Sequence, residues 1–218
     1  DPVVQKAAWD ALGKLKGAVV AIDPLTGNII AMVSKPGFDA NRLAVHDGIT
    51  STNNYAELLA DPDSPLVNKA ISGSLYAPGS VFKVLVAAAA IESGKYTADS
   101  MLPNPVKFKL PGTNTFIQNS GEGKCGGRAT VSIADALKLS CNIPFAQLGI
   151  ELGQNAIREQ AEKFGFGKTV EIPLRSTASV YPKNMDDAQT AMSAFGQFDV
   201  RVTPLQIAMM SAAIAKFQ

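Results

Sequence analysis

The chain of 218 residues has one histidine, two cysteines and one tryptophan, and charged residues make up only 18% of it. Each shortage removes a class of chemistry. One imidazole and two thiols are three nitrogen and sulfur donors in all, the bare minimum of the three or four that a dedicated zinc site uses, so such a site is nearly excluded, and no cofactor is expected. The same shortage leaves hydroxyls, lysines, carboxylates and amides as the available catalytic groups. His46 lies in Ala44-Val45-His46-Asp47-Gly48, a turn-like stretch, and reads as a surface or loop residue. Lys and Arg number 20 against 19 Asp and Glu, a net charge of +1, without the basic face that nucleic-acid binding requires. No run reaches the ~20 uninterrupted apolar residues of a transmembrane helix. The start, Asp1-Pro2-Val3-Val4, lacks the charged and apolar regions of a signal peptide. Either the protein is soluble or its anchor lies outside this sequence.

Hydrophobic residues make up 46% of the chain, enough at this length to bury a sizeable core and to exclude global disorder. No internal repeat or linker divides it, so residues 1–218 are read as one domain. Val4, Ala8, Leu12 and Leu15 form one helical stripe, ended by Gly17. Two continuously apolar strands, 18–22 and 29–33, flank the turn sequence Asp23-Pro24-Leu25-Thr26-Gly27-Asn28. They predict a β-hairpin with helices covering both faces. Two strands do not make such a sheet alone, and the chain closes on a helix, so partner strands are expected outside this sequence. Residues 35–79, rich in Pro, Asn, Asp and Ser, read mostly as loop, and 101–128 as irregular around a short strand at 107–110. Helices are expected over 81–93, over 132–139 behind a Ser132/Asp135 capping box, and over 142–152 and 154–164, with stops at Gly153 and Gly165. A last helix starts at Thr203-Pro204 and runs to the chain end.

The octet Tyr76-Ala77-Pro78-Gly79-Ser80-Val81-Phe82-Lys83 carries the chemistry. Pro-Gly makes a tight turn, Ser80 begins an apolar helix, and Lys83 projects from the same face one turn later. A serine hydroxyl is a poor nucleophile until a base takes its proton. A lysine kept neutral by apolar surroundings can be that base, and the helix N-terminus suits a developing oxyanion. The bland alternative is a capping serine beside a solvated lysine. Ser140-Cys141-Asn142 stands between two predicted helices. There Ser140 can relay a proton to a leaving amine and Asn142 can hydrogen-bond a substrate amide. Ser51-Thr52-Asn53 matches the same S-x-N pattern but precedes Ser80, in a predicted loop, and is read as chance.

S-x-x-K followed by S-x-N is the motif order of penicillin-binding proteins and serine β-lactamases, which this chain resembles. Residues 17–34 resemble the first hairpin of a transpeptidase domain, and Phe38-Asp39-Ala40-Asn41 is similar to the segment after it. Gly196-Gln197 and Thr203-Pro204-Leu205-Gln206-Ile207-Ala208 resemble that family's GQ and TPLQ-A block. The resemblance spans roughly residues 17–215 and favours class B penicillin-binding proteins, in particular the penicillin-binding protein A group of actinobacteria. It implies an α/β (α+β) transpeptidase fold, a central antiparallel sheet covered by helices. One motif departs from the pattern: no Lys is followed by Thr-Gly or Ser-Gly. Gly167-Lys168-Thr169 has the wrong order and place, and Glu162 spoils a P-loop reading. With the orphan hairpin, this suggests a domain whose C-terminal strands are absent from the sequence.

The resemblance implies an acyl-serine DD-transpeptidase. Ser80 attacks the carbonyl of the penultimate D-Ala of a peptidoglycan stem peptide, Lys83 and Ser140 pass the proton to the departing D-Ala, and Asn142 binds substrate. β-Lactams would acylate the same serine. Alternatives are a β-lactamase or DD-carboxypeptidase, and a β-lactam sensor or catalytically silent scaffold. The implied location is the extracytoplasmic face of the bacterial membrane, with cell-wall synthesis or division proteins as further partners. An even cysteine count in an exported protein suggests a Cys125–Cys141 disulfide. Two buried thiols are the alternative.

Overall fold

The computed structural model describes residues 1–121 and 123–216. In chain order these form helix α1 (Pro2–Leu12), strands β1 (Gly17–Ile22) and β2 (Ile29–Lys35), and helices α2 (Gly48–Ala60) and α3 (Lys83–Glu92). Strands β3 (Met101–Pro103), β4 (Lys107–Lys109), β5 (Phe116–Gln118) and β6 (Thr130–Ser132) follow. Helices α4 (Ile133–Lys138), α5 (Asn142–Lys163), α6 (Asp187–Ser193) and α7 (Pro204–Ala215) complete the mixed α/β chain. It divides into two compact units, one of Asp1–Leu75, Thr169–Thr177 and Thr203–Gln218, the other of Tyr76–Lys168 and Ala178–Val202.

The first unit is built on the expected hairpin, β1 antiparallel to β2, with a bulge between Ala21 and Ile22. Ala18, Val20, Ile22 and Met32 pack with Ala70, Ile71, Leu205 and Met209, so α7 covers one face. On β2, Ala31 and Val33 are buried and alternate with half-buried residues. Helix α1 lies against β2. Its Gln5 carboxamide imitates a strand, donating to Met32 O at 2.7 Å and accepting from Met32 N at 2.8 Å. Helix α1 ends at Gly13 rather than Gly17, and Leu15 is exposed. The loop expected over 35–79 contains α2, started by Asp47, whose carboxylate accepts from the Ile49 and Thr50 amides. Ser51-Thr52-Asn53 therefore lies on a helix, and His46 is exposed just before it. Helix α7 begins as expected, with the Thr203 hydroxyl accepting from Gln206 N and Pro204 at its first position. Phe217 and Gln218, the end of the expected helix, lie outside the described residues.

The second unit packs α3 and α6 on α5. Its core holds Leu110, Ala146, Ala188 and Ala191, flanked by Phe108, Ile117, Ile150 and Phe195. Each large apolar side chain fully buried here contributes about 1.5–3 kcal/mol. The stretch expected to be irregular carries β3, β4 and β5, which pair in two further two-stranded antiparallel sheets, β3 with β6 and β4 with β5. Gly153, at φ 77°, interrupts α5 where a helix stop was expected. Gly165 and Gly167, at φ 93° and 78°, turn the chain after α5. Helix α6, which was not among the expected helices, has a full capping box, Asp186 with Gln189.

Candidate active site

The octet does not run straight into an α-helix. Gly79–Phe82 forms a 3-10 turn, and the α-helix proper starts at Lys83. The turn is fastened from both sides. Tyr76 exchanges two backbone hydrogen bonds with Val202, and Gly79 N donates to Gly196 O at 3.0 Å. Phe82, fully buried, stacks on Tyr181 with ring centroids 5.8 Å apart and meets the edge of Phe166 at 5.9 Å. The Tyr181 hydroxyl pairs with Ser193 Oγ at 2.9 Å, and burial pushes its pKa up to about 12, so it stays protonated.

On this support Ser80 is exposed while Lys83 is 0% exposed. Lys83 Nζ lies 3.1 Å from Ser80 Oγ, 2.8 Å from Ser140 O, 3.3 Å from Ser140 Oγ and 2.8 Å from Asn142 Oδ1. All four residues singled out in the sequence thus meet at one ammonium group. Burial disfavours its charge and lowers the Lys83 pKa from 10.5 to about 8. At pH 7 about a tenth of the molecules then hold a neutral amine, hundreds of times the fraction for an ordinary lysine. In that form its two N–H bonds fit the two closest oxygens, Ser140 O and Asn142 Oδ1. The lone pair is left for the proton of Ser80 Oγ–H.

Ser140 and Asn142 are presented by the junction of α4 and α5. Cys141 N donates to Ala136 O at 2.8 Å and Ser140 N to Leu137 O at 3.1 Å. These are the two bonds of a Schellman helix end, with Ser140 in the left-handed position that glycine usually takes. Asn142 Nδ2 donates to Gln118 O at 3.1 Å. Its second N–H is available to a substrate carbonyl. Cys125 and Cys141 are joined as a disulfide, with Cα atoms 5.7 Å apart. Gly196 and two buried asparagines, Asn104 and Asn119, complete the surroundings. The asparagines reach the site across long sequence separations, which no local pattern announces. Among the described residues no cluster of His, Cys, Asp and Glu fits a metal ion.

The family described as penicillin binding protein transpeptidase domain matches residues 17–217. The chain belongs to that family. It is 41% identical, over 98% of its length, to the peptidoglycan D,D-transpeptidase PbpA of Mycolicibacterium smegmatis, of which it covers 44%. The chain thus spans less than half of that relative. The imipenem acyl-enzyme complex of penicillin-binding protein A from M. tuberculosis superposes with a TM-score of 0.92 at 39% identity, over 99% of this chain and 50% of that one. Pseudomonas aeruginosa PBP2, in complex with WCK 5153, gives 0.87 at 31% identity, over 99% and 48%. The resemblance read from the two motifs and the hairpin is therefore a family membership, with the fold of penicillin-binding transpeptidase domains.

Proposed function

We propose that this chain carries the acyl-serine centre of a peptidoglycan D,D-transpeptidase. The observation that carries the reading is an exposed Ser80 whose hydroxyl lies 3.1 Å from the amine of a fully buried lysine with its pKa lowered to about 8. Neutral Lys83 takes the hydroxyl proton as Ser80 Oγ bonds to the carbonyl carbon of the penultimate D-Ala. Lys83 and Ser140 Oγ then deliver that proton to the nitrogen of the terminal D-Ala as the peptide bond breaks. An amine of a neighbouring stem peptide attacks the ester, and as the acyl–oxygen bond breaks, the amine's proton passes by way of Lys83 to Ser80 Oγ, which restores the hydroxyl. Asn142 holds the substrate amide with its remaining N–H. A β-lactam ring, an activated amide, acylates Ser80 by the same first step.

Residues 1–218 are, in this reading, one transpeptidase domain that continues past its C-terminal end. It works on the extracytoplasmic face of the membrane, where peptidoglycan lies and where a disulfide persists. A membrane anchor and cell-wall synthesis or division proteins as partners belong to the same proposal. Among the described residues no helix is long and apolar enough to cross a membrane. Incubating the full chain with penicillin, followed by intact mass and peptide mapping, tests the assignment. A single adduct on the Ser80 peptide, absent in Ser80→Ala, is expected. An adduct elsewhere, or an equal one in Ser80→Ala, overturns it. Rapid release of hydrolysed antibiotic would instead indicate a β-lactamase.

A further inference from the structure

Beside the site lie two buried side-chain amides that the chemistry above does not use. Asn104 and Asn119 are 0% and 4% exposed. Asn119 Oδ1 accepts from the backbone N–H of Asn142 at 2.9 Å and of Ile143 at 3.0 Å. These are the first two amides of α5, which have no partner within their own helix. The residue before them, Cys141, contributes no side-chain cap, its sulfur being in the disulfide. Asn119 Nδ2 donates to Asn104 Oδ1 at 3.1 Å and to Gly123 O at 3.2 Å. Its carboxamide thereby makes two accepted and two donated bonds, the most such a group can make.

Asn104 extends the network into the disulfide loop. Its Nδ2 donates to Cys125 O at 2.7 Å and Arg128 O at 2.8 Å, and its Oδ1 also accepts from Cys125 N at 3.2 Å. The residue before Asn119 matters too, since Gln118 O holds the Asn142 side chain. Residues 118 and 119 therefore fix Asn142 twice, by its carboxamide and by its backbone. Asn142 Oδ1 in turn accepts from Lys83.

We propose that Asn119, braced by Asn104, is the positioning residue of the acyl-serine site, setting through Asn142 the oxygen that faces Lys83. This rests on the functional reading above, and Asn119 itself touches neither Ser80 nor Lys83. A residue that merely filled the loop would contribute stability and leave the titration of Lys83 unchanged. Lys83 has Ser80, Ser140, Asn142 and, at 5.9 Å, the Phe145 ring around it, and burial is the one cause of its lowered pKa. A change transmitted from position 119 is therefore read against a background in which, among the described residues, no charged group shifts Lys83.

The test compares the parent full chain with Asn119→Ala and Asn119→Asp. It measures penicillin acylation rate against pH, the Lys83 titration by NMR of labelled lysine, and the melting temperature. Asn119→Ala frees Asn142, so the plateau rate falls about 10- to 100-fold, the scale for a small misplacement of a reacting group. The Lys83 midpoint moves down, because the ammonium loses a held acceptor. Asn119→Asp keeps both accepted bonds at a helix N-terminus that favours negative charge, while the two bonds donated to Asn104 Oδ1 and Gly123 O are lost. Its carboxylate favours the ammonium and moves the midpoint up by about half a unit or more. Opposite shifts in the two variants support the proposal, and Asn119→Asp decides alone if Asn119→Ala does not fold. Parent-like rates and midpoints in the variants that fold overturn it, as does failure of both to fold, which would make Asn119 a residue of the fold alone. If the parent takes no label at Ser80, the functional reading fails, and the NMR midpoints still decide the role of Asn119.

Discussion

The backbone carbonyl of Ser140 accepts a hydrogen bond from Lys83 Nζ at 2.8 Å while Ser140 stands at φ 57°. A serine in the left-handed region costs about 1–2 kcal/mol relative to glycine, at a helix end where glycine would be the ordinary choice. The strain is tolerated where a hydroxyl is wanted. Ser140→Gly and Ser140→Ala should therefore share one chemical deficit, slower acylation through loss of the Oγ beside Lys83, and differ in stability. Glycine is expected to be the more stable by about 1 kcal/mol. Thermal unfolding of both, beside their acylation rates, checks this. Equal melting temperatures would mean that the strain is relieved elsewhere.

Lys83 sets the pH dependence. With its pKa lowered to about 8 by burial, acylation at fixed β-lactam should rise with pH and level off above pH ~8, following the neutral amine. The unfolded chain, with an ordinary lysine pKa, holds the proton more tightly than the folded one. The Lys83 contribution thus disfavours folding fully below pH ~8, and stability is regained as pH rises toward ~10.5. Lys83→Arg keeps the charge but cannot lose its proton. Acylation should fall by at least about 100-fold at every pH. A Lys83→Arg protein with a parent-like profile would make this lysine structural.

Much of this site was legible because its groups are close in sequence or ordered along it. Ser80 and Lys83 are one helical turn apart, and a two-residue step separates Ser140 from Asn142. The hairpin was legible from two apolar runs around Asp23-Pro24-Leu25-Thr26-Gly27-Asn28. Helix α2 was not, because Thr50, Ser51, Thr52, Asn53 and Asn54 are weak helix formers, although Asp47 stood ahead of them as a cap. For α6 the signal was present in Asp186 and Gln189 and went unread. Strands β3, β4, β5 and β6 have three residues each, too short to show an alternation. Asn119 was out of reach for another reason: the helix amides it caps lie 23 and 24 positions away, and only the folded chain brings them together.

The disulfide joins the Gly-rich loop to the residue between Ser140 and Asn142. Closing a loop with a sequence separation of 16 stabilises by about 3 kcal/mol in the chain-entropy model. The paired replacement Cys125→Ser, Cys141→Ser should lower the melting temperature accordingly and leave the circular dichroism spectrum unchanged. Acylation is expected to slow more than the fold changes, because Cys141 leads directly into the helix that presents Asn142. Equal acylation rates in variant and parent would reduce the bridge to a purely structural role.

Gly196 carries the most severe prediction. Its φ is 78°, and a Cβ built on it would lie 2.0 Å from Gly79 O and 2.7 Å from Gly79 N. Those atoms are backbone, immediately before Ser80, and Gly79 N also donates to Gly196 O. No side-chain rotation relieves such an overlap, so in Gly196→Ala the turn carrying Ser80 must move. Overpacking of about 1–3 kcal/mol adds to about 1–2 kcal/mol for a left-handed alanine. Acylation of the protein that still folds should fall about 100-fold, since Ser80 Oγ leaves its place beside Lys83. Gly112→Ala is the control. Gly112 also has a positive φ, 68°, but nothing lies within 4 Å of its added Cβ. It should lose only the conformational part of the stability and acylate at the parent rate. Gly196→Ala acylating as fast as Gly112→Ala would show that the contact with Gly79 does not position the nucleophile.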